Sequence, residues 1–147
     1  MDYKVNYENW LSSEYLCSEG LAELKSMAGN EEAIKDAFGA ELEFGTAGMR
    51  GIIGYGTNRM NVYTVRRATK GLADFIKANG KSAMQRGVAI SYDTRNKSEL
   101  FARVAAGGLL YNDIKGYVYS EPRPVPMLSY AVRNLNAVAG LMITASH

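Results

Sequence analysis

From residue 87 onward, short apolar runs alternate with helical periodicity, and this alternation constrains the fold more than any other feature. Gly87-Val88-Ala89-Ile90-Ser91-Tyr92 has the continuous apolar character of a strand buried on both faces. The polar turn Asp93-Thr94-Arg95-Asn96-Lys97 follows. Ser98 can cap a helix carrying Leu100, Phe101, Val104, Ala105, Gly108 and Tyr111. Tyr117-Val118-Tyr119 reads as a short strand, and Pro122-Arg123-Pro124-Val125-Pro126 as a turn with proline at a helix start. Val125, Leu128, Val132 and Leu135 mark that helix, and residues 137–143 form a last apolar strand. The order predicts an α/β fold, with a mostly parallel sheet covered by helices on both faces. In such a sheet, ligands bind beyond the carboxyl ends of the strands. The loops expected on that rim hold Asp93, Arg95, Arg123, Ser146 and His147.

The upstream half reads differently. Residues 1–40 are expected to form a polar helical arm, and residues 41–147 the main domain. In the arm, Trp10, Leu11, Tyr15 and Leu16 could make one apolar face, and Leu21, Leu24 and Met27-Ala28 a second. Glu31 to Phe38 resembles a third helix, ended by Gly39. Glu41-Leu42-Glu43-Phe44 alternates like a short strand before the glycine-rich run Gly45-Thr46-Ala47-Gly48-Met49-Arg50-Gly51. Asn61 can cap a helix with Val62, Val65, Thr69, Leu72 and Ile76 at spacings of three and four, and Asn79-Gly80 ends it.

Composition bounds the function classes. A hydrophobic fraction of 47% and a charged fraction of 22% suit a soluble domain with a real core. Net charge is only +2, from 17 basic and 15 acidic residues that intersperse, which argues against a nucleic-acid binder. The single cysteine, Cys17, excludes an intrachain disulfide and a multi-cysteine metal site. Asp2, Lys4 and Glu8 interrupt the start, unlike a signal peptide, and no apolar stretch is long enough for a membrane span. A cytoplasmic protein is the simplest expectation. Oligomeric state is left open.

Several residues could carry chemistry. In the run Gly45–Gly51, glycines let backbone N–H groups approach an anion, and Arg50 could add a bidentate phosphate contact. A tight hairpin with a surface arginine explains the same residues. Arg95 could bind an anion or brace a loop, or simply be solvated beside an Asp turn. Arg123 is stiffened by two prolines and reads first as a turn residue. Ser146 follows an apolar strand, a placement that suits a nucleophile or a phosphate carrier. Its neighbour His147 is a poor triad partner, because adjacent side chains of an extended segment point to opposite faces.

Taken together, four segments resemble one family. Phe44-Gly45-Thr46-Ala47-Gly48-Met49-Arg50-Gly51 is similar to its N-terminal signature, and Ser91-Tyr92-Asp93-Thr94-Arg95 and Pro122-Arg123-Pro124-Val125-Pro126 to its next two loops. Ile143-Thr144-Ala145-Ser146-His147 resembles the start of its phosphoserine loop. The family is the α-D-phosphohexomutases, phosphoglucomutase and phosphomannomutase. Gly54-Tyr55-Gly56-Thr57-Asn58-Arg59-Met60-Asn61 is most similar to the bacterial phosphoglucomutase branch that includes phosphopentomutase-like members. The resemblance implies an incomplete first domain of a four-domain enzyme that interconverts sugar 1-phosphates and 6-phosphates, with glucose the expected sugar. It implies that Ser146 carries a phosphoryl group and passes it through a sugar bisphosphate, with glucose 1,6-bisphosphate as intermediate and activator. It makes Arg50 a catalytic and phosphate-binding residue, Arg95 a second phosphate-binding arginine, and His147 a residue of proton handling or substrate positioning. Mg²⁺ is implied at the Ser146 phosphate, with its other ligands outside this chain. The metal loop and sugar-recognition loops of such enzymes are absent here, so the chain alone is expected to be inactive. A non-catalytic domain that binds phosphosugars weakly, or a phosphopentomutase, are the alternatives.

Overall fold

The computed structural model describes residues 2–46 and 48–145. The chain forms two compact units that divide between Thr64 and Val65. Among the described residues there are seven helices and five strands.

The first unit begins with three short helices, α1 (Tyr3–Leu11), α2 (Ser18–Ser26) and α3 (Glu31–Phe38). Each has a side-chain cap. Asp2 accepts from the N–H groups of Lys4 and Val5, Cys17 Sγ from Gly20, and Asn30 from Ala33. Such caps satisfy donors that a helix start leaves open. The core is aromatic: Tyr7, Leu24, Ala37, Phe38 and Tyr55 are buried, with Trp10 and Tyr63 packed against them. Trp10 meets both Phe38 and Tyr63 edge to face, at 5.7 and 5.4 Å between ring centroids. Tyr15 is not on the expected apolar face. The helix stops at Leu11, and Tyr15 is 80% exposed.

The expected strand at residues 41–44 is shorter and shifted. Phe44–Gly45 (β1) pairs antiparallel with Gly48–Met49 (β2), and Gly48, at φ +90°, begins the return strand. Leu42 instead donates its N–H to Thr57 O. Asn61 does more than cap. Its Oδ1 accepts from Tyr63 and Thr64 N–H groups, while its Nδ2 donates to the carbonyls of Gly54, Gly56 and Arg59. One buried amide thereby fixes the loop before α4 (Val62–Ala78).

The second unit is built on a parallel sheet in the order β4-β3-β5. β3 (Val88–Tyr92) is central and fully buried; β4 (Gly116–Val118) and β5 (Ala139–Ile143) flank it. The strand period of two sorts β3 between two faces. Val88, Ile90 and Tyr92 pack with Ala73 and Ile76 of α4, Ala83 of α5 (Lys81–Arg86), and Ala102 and Leu109 of α6 (Ser98–Tyr111). Ala89 packs with Leu128 and Ala131 of α7 (Val125–Asn134) and with Ala137. Helices therefore cover both faces, as the sequence pattern predicts. Gly140 lets α7 lie close to β5, since a Cβ there would stand 2.8 Å from Val132 Cγ2.

Two expectations change in this unit, and one helix was not expected. Ser98 is not the cap of α6; Lys97 occupies that position in the left-handed region, and Ser98 is the first helical residue. Leu100 and Tyr111 face solvent, because the burial stripe runs through Phe101, Ala102, Ala105 and Leu109. The helix α5 carries no apolar periodicity long enough to announce it. No described helix is long and apolar enough to cross a membrane.

Candidate functional site

The parallel register decides what meets at the sheet's carboxyl rim. Tyr92 of β3 stands opposite Ile143 of β5, so the residues just beyond them, Asp93 and Thr144, emerge side by side. Asp93 N–H donates to Ile143 O at 3.1 Å. From the other side, Arg123 N–H donates to Tyr92 O at 3.0 Å, and Ser91 Oγ donates to Arg123 O at 2.7 Å. The three loops predicted to share a rim are thus joined by hydrogen bonds.

Asp93 lies at the junction. Its Oδ1 accepts from Arg95 N–H at 2.9 Å and Ser98 Oγ at 2.6 Å. Its Oδ2 accepts from Thr144 Oγ1 at 2.8 Å and Ala145 N–H at 3.1 Å. Burial pushes the carboxyl pKa up, but these four donors outweigh it and hold it at about 2. Asp93 is therefore an anion at neutral pH.

The predicted site residues are distributed as follows. Ser146 and His147 lie outside the described residues; the described backbone ends at Ala145, one residue before the serine. Arg95 is on the rim, contributing its backbone to the Asp93 cluster while its side chain is exposed. Arg123 joins through its backbone, and its guanidinium is held by Glu121 Oε2 at 2.9 Å and Pro122 O at 3.0 Å. Arg50 belongs to the first unit. It follows β2, is exposed, and lines an open hollow of about 490 Å³ with Glu41, Glu43 and Asn58. Its side chain is exposed beside those two carboxylates.

Among the described residues, no group of three His, Cys, Asp or Glu could hold a metal ion. Asp93 bonds Thr144 and Ala145, and both of its oxygens are taken by donors. The described residues therefore do not fit a Mg²⁺ site of their own.

Sequence reading identified Asp93 only as a turn residue. A carboxylate directly after the central buried strand, followed five residues later by Ser98, was the available local signal. Its decisive partners, Thr144 and Ala145, are more than fifty residues away.

Residues 41–147 match phosphoglucomutase/phosphomannomutase, alpha/beta/alpha domain I. The chain belongs to the phosphoglucomutase/phosphomannomutase family. Among relatives in that family, the phosphopentomutase of Mus musculus is 38% identical over 157 aligned residues, covering 100% of this chain and 25% of that protein. The phosphopentomutase of Homo sapiens is 38% identical, covering 81% of this chain and 20% of the relative. A phosphoglucomutase of Staphylococcus aureus is 42% identical over 113 residues, covering 77% and 20%. The chain thus spans a quarter or less of the length of these curated relatives. No solved structure matches it significantly.

Proposed function

We propose that this chain supplies the phosphoserine-bearing part of a phosphomutase that moves a phosphoryl group between two hydroxyls of a sugar. Ser146 is the carrier. Its phosphate passes to the free hydroxyl of a sugar monophosphate, and the other phosphate of the resulting bisphosphate returns to the serine. Phosphoryl transfer relies on positioning and on stabilising spread negative charge rather than on covalent chemistry by the protein. Arg50 would offer an exposed guanidinium for that charge, and Arg95 a second cation on the rim. His147 would position the sugar or handle the proton that its attacking hydroxyl gives up. The phosphate on Ser146 would be this chain's contribution to Mg²⁺ binding.

One observation carries the reading beyond family membership. The register of β3 and β5 brings Thr144 and Ala145 to the carboxyl rim where α/β sheets bind ligands, and Ser146 is the next residue in the sequence, which supports the reading. The test is phosphopeptide mapping of the complete protein after exposure to labelled glucose 1,6-bisphosphate. Label on the peptide containing Ser146, lost in Ser146→Ala, is expected; label elsewhere refutes the carrier role.

Glucose is the proposed sugar. A pentose is the second reading, favoured because the relative aligned over the whole chain is a phosphopentomutase. Turnover of the complete protein on glucose 1-phosphate against ribose 1-phosphate separates them. Since the chain spans a quarter or less of its relatives, the 147 residues alone are expected to show no mutase turnover.

A further inference from the structure

We propose that Asp93 is a positioning residue for Ser146, an acceptor-only clamp on the two residues that lead into the serine. This rests on the reading of Ser146 as phosphoryl carrier. All four groups around the Asp93 carboxylate are donors: the N–H groups of Arg95 and Ala145, and the hydroxyls of Ser98 and Thr144. An ionised carboxylate has about four lone-pair sites and no proton, so it can accept all of them. An asparagine of the same shape cannot. On whichever side its NH₂ lies, the hydroxyl of Ser98 or Thr144 could turn to accept, but the backbone N–H of Arg95 or Ala145 would meet another donor and be left unpaired.

The two oxygens divide the work. Oδ1 is tied to the turn and to the first residue of α6, which fixes the carboxylate's orientation. Oδ2, so oriented, holds the Thr144 hydroxyl and the Ala145 amide. The backbone one residue before the carrier is therefore referenced to a helix and to the central strand. Because its lone pairs are committed, Asp93 is assigned neither proton transfer nor metal binding. Among the described residues, all of its bonds are to the turn, to α6 and to the segment before the serine.

Charge offers a competing effect that makes the inference testable. A carboxylate near a phosphoserine of roughly −2 charge would repel it. If repulsion dominated, removing the charge would speed phosphorylation of the serine. If positioning dominates, removing it slows transfer, since a displacement of about 1 Å can cost on the order of 10²-fold.

The experiment measures rapid-quench phosphoryl transfer from glucose 1,6-bisphosphate to Ser146 in the complete protein, alongside the dissociation constant for the sugar phosphate. Asp93→Asn is expected to slow transfer by about 10²-fold while affinity stays within about twofold. Thr144→Val, which deletes one of the Oδ2 bonds, is expected to slow it by about fivefold, the rate equivalent of one hydrogen bond of about 1 kcal/mol. If Asp93→Asn does not fold, Thr144→Val and the exchange rate of the Ala145 amide carry the test. Transfer within threefold of the parent in whichever of these variants folds, or faster transfer, overturns the clamp. So does an equal loss of affinity and rate. If the parent protein itself never labels at Ser146, the carrier reading fails, and this inference with it.

Discussion

The two units hold their loops by different means. In the first, an aromatic cluster of Tyr7, Trp10, Phe38 and Tyr55 supports loops through single buried polar hubs, of which Asn61 is the fullest. In the second, a parallel sheet sets the register, and loop ends meet because their strands do. The candidate residues reflect this. Arg50 follows a hairpin of two paired residues on each side and is exposed. Thr144 and Ala145 are bonded to a carboxylate at the end of the central strand. The short hairpin leaves Arg50 exposed, whereas the sheet rim fixes a backbone.

The comparison breaks most easily at the cores. Phe38→Ala should cost on the order of 3–5 kcal/mol and Ile90→Ala about 2–5 kcal/mol, since both side chains are fully buried. Denaturant unfolding gives the totals, and amide exchange shows where protection is lost. Each substitution is expected to loosen chiefly its own unit. Equal loss in both would mean that they unfold together.

Next comes Asn61→Ala, expected to destabilise by about 2 kcal/mol, because it leaves buried carbonyls and a helix start unpaired at once. A loss below 0.5 kcal/mol on the same unfolding assay would deny Asn61 its hub role.

Acid probes the second unit through Asp93. Its folded pKa, about 2, lies below the ordinary value of 3.8, so its stabilisation is full above pH about 4. It is lost as pH falls from there toward 2, and amounts to about 2 kcal/mol. Asp93→Asn should flatten the stability–pH curve across that window. An unchanged curve would contradict the cluster.

The smallest effects belong to the surface. Lys70→Ala breaks an exposed i,i+4 pair with Asp74, and should change stability by less than about 0.5 kcal/mol. Arg50→Ala should be equally neutral in thermal unfolding while impairing phosphoryl transfer in the complete protein. A large thermal shift would show that Arg50 is structural.

Much of the fold was legible. The three N-terminal helices, the Asn61 cap, the buried strand at 88–92 and the proline-initiated helix α7 are all written in near neighbours. What escaped was short or set at a distance. The hairpin β1–β2 has too few residues to show a period, and α5 offers no apolar stripe. Ser98 was misread as a cap because a serine before an apolar run is a local signal, while its actual partner is the loop carboxylate.

By itself, then, the sequence determined the alternation of strands and helices, the family signatures and the serine at the end of an apolar strand. Only the tertiary structure decided that Asp93 and Thr144 would meet. Period and capping depend on residues three or four apart. Register depends on how the strands and helices pack: Tyr92 lies opposite Ile143, and α7 lies close over Gly140.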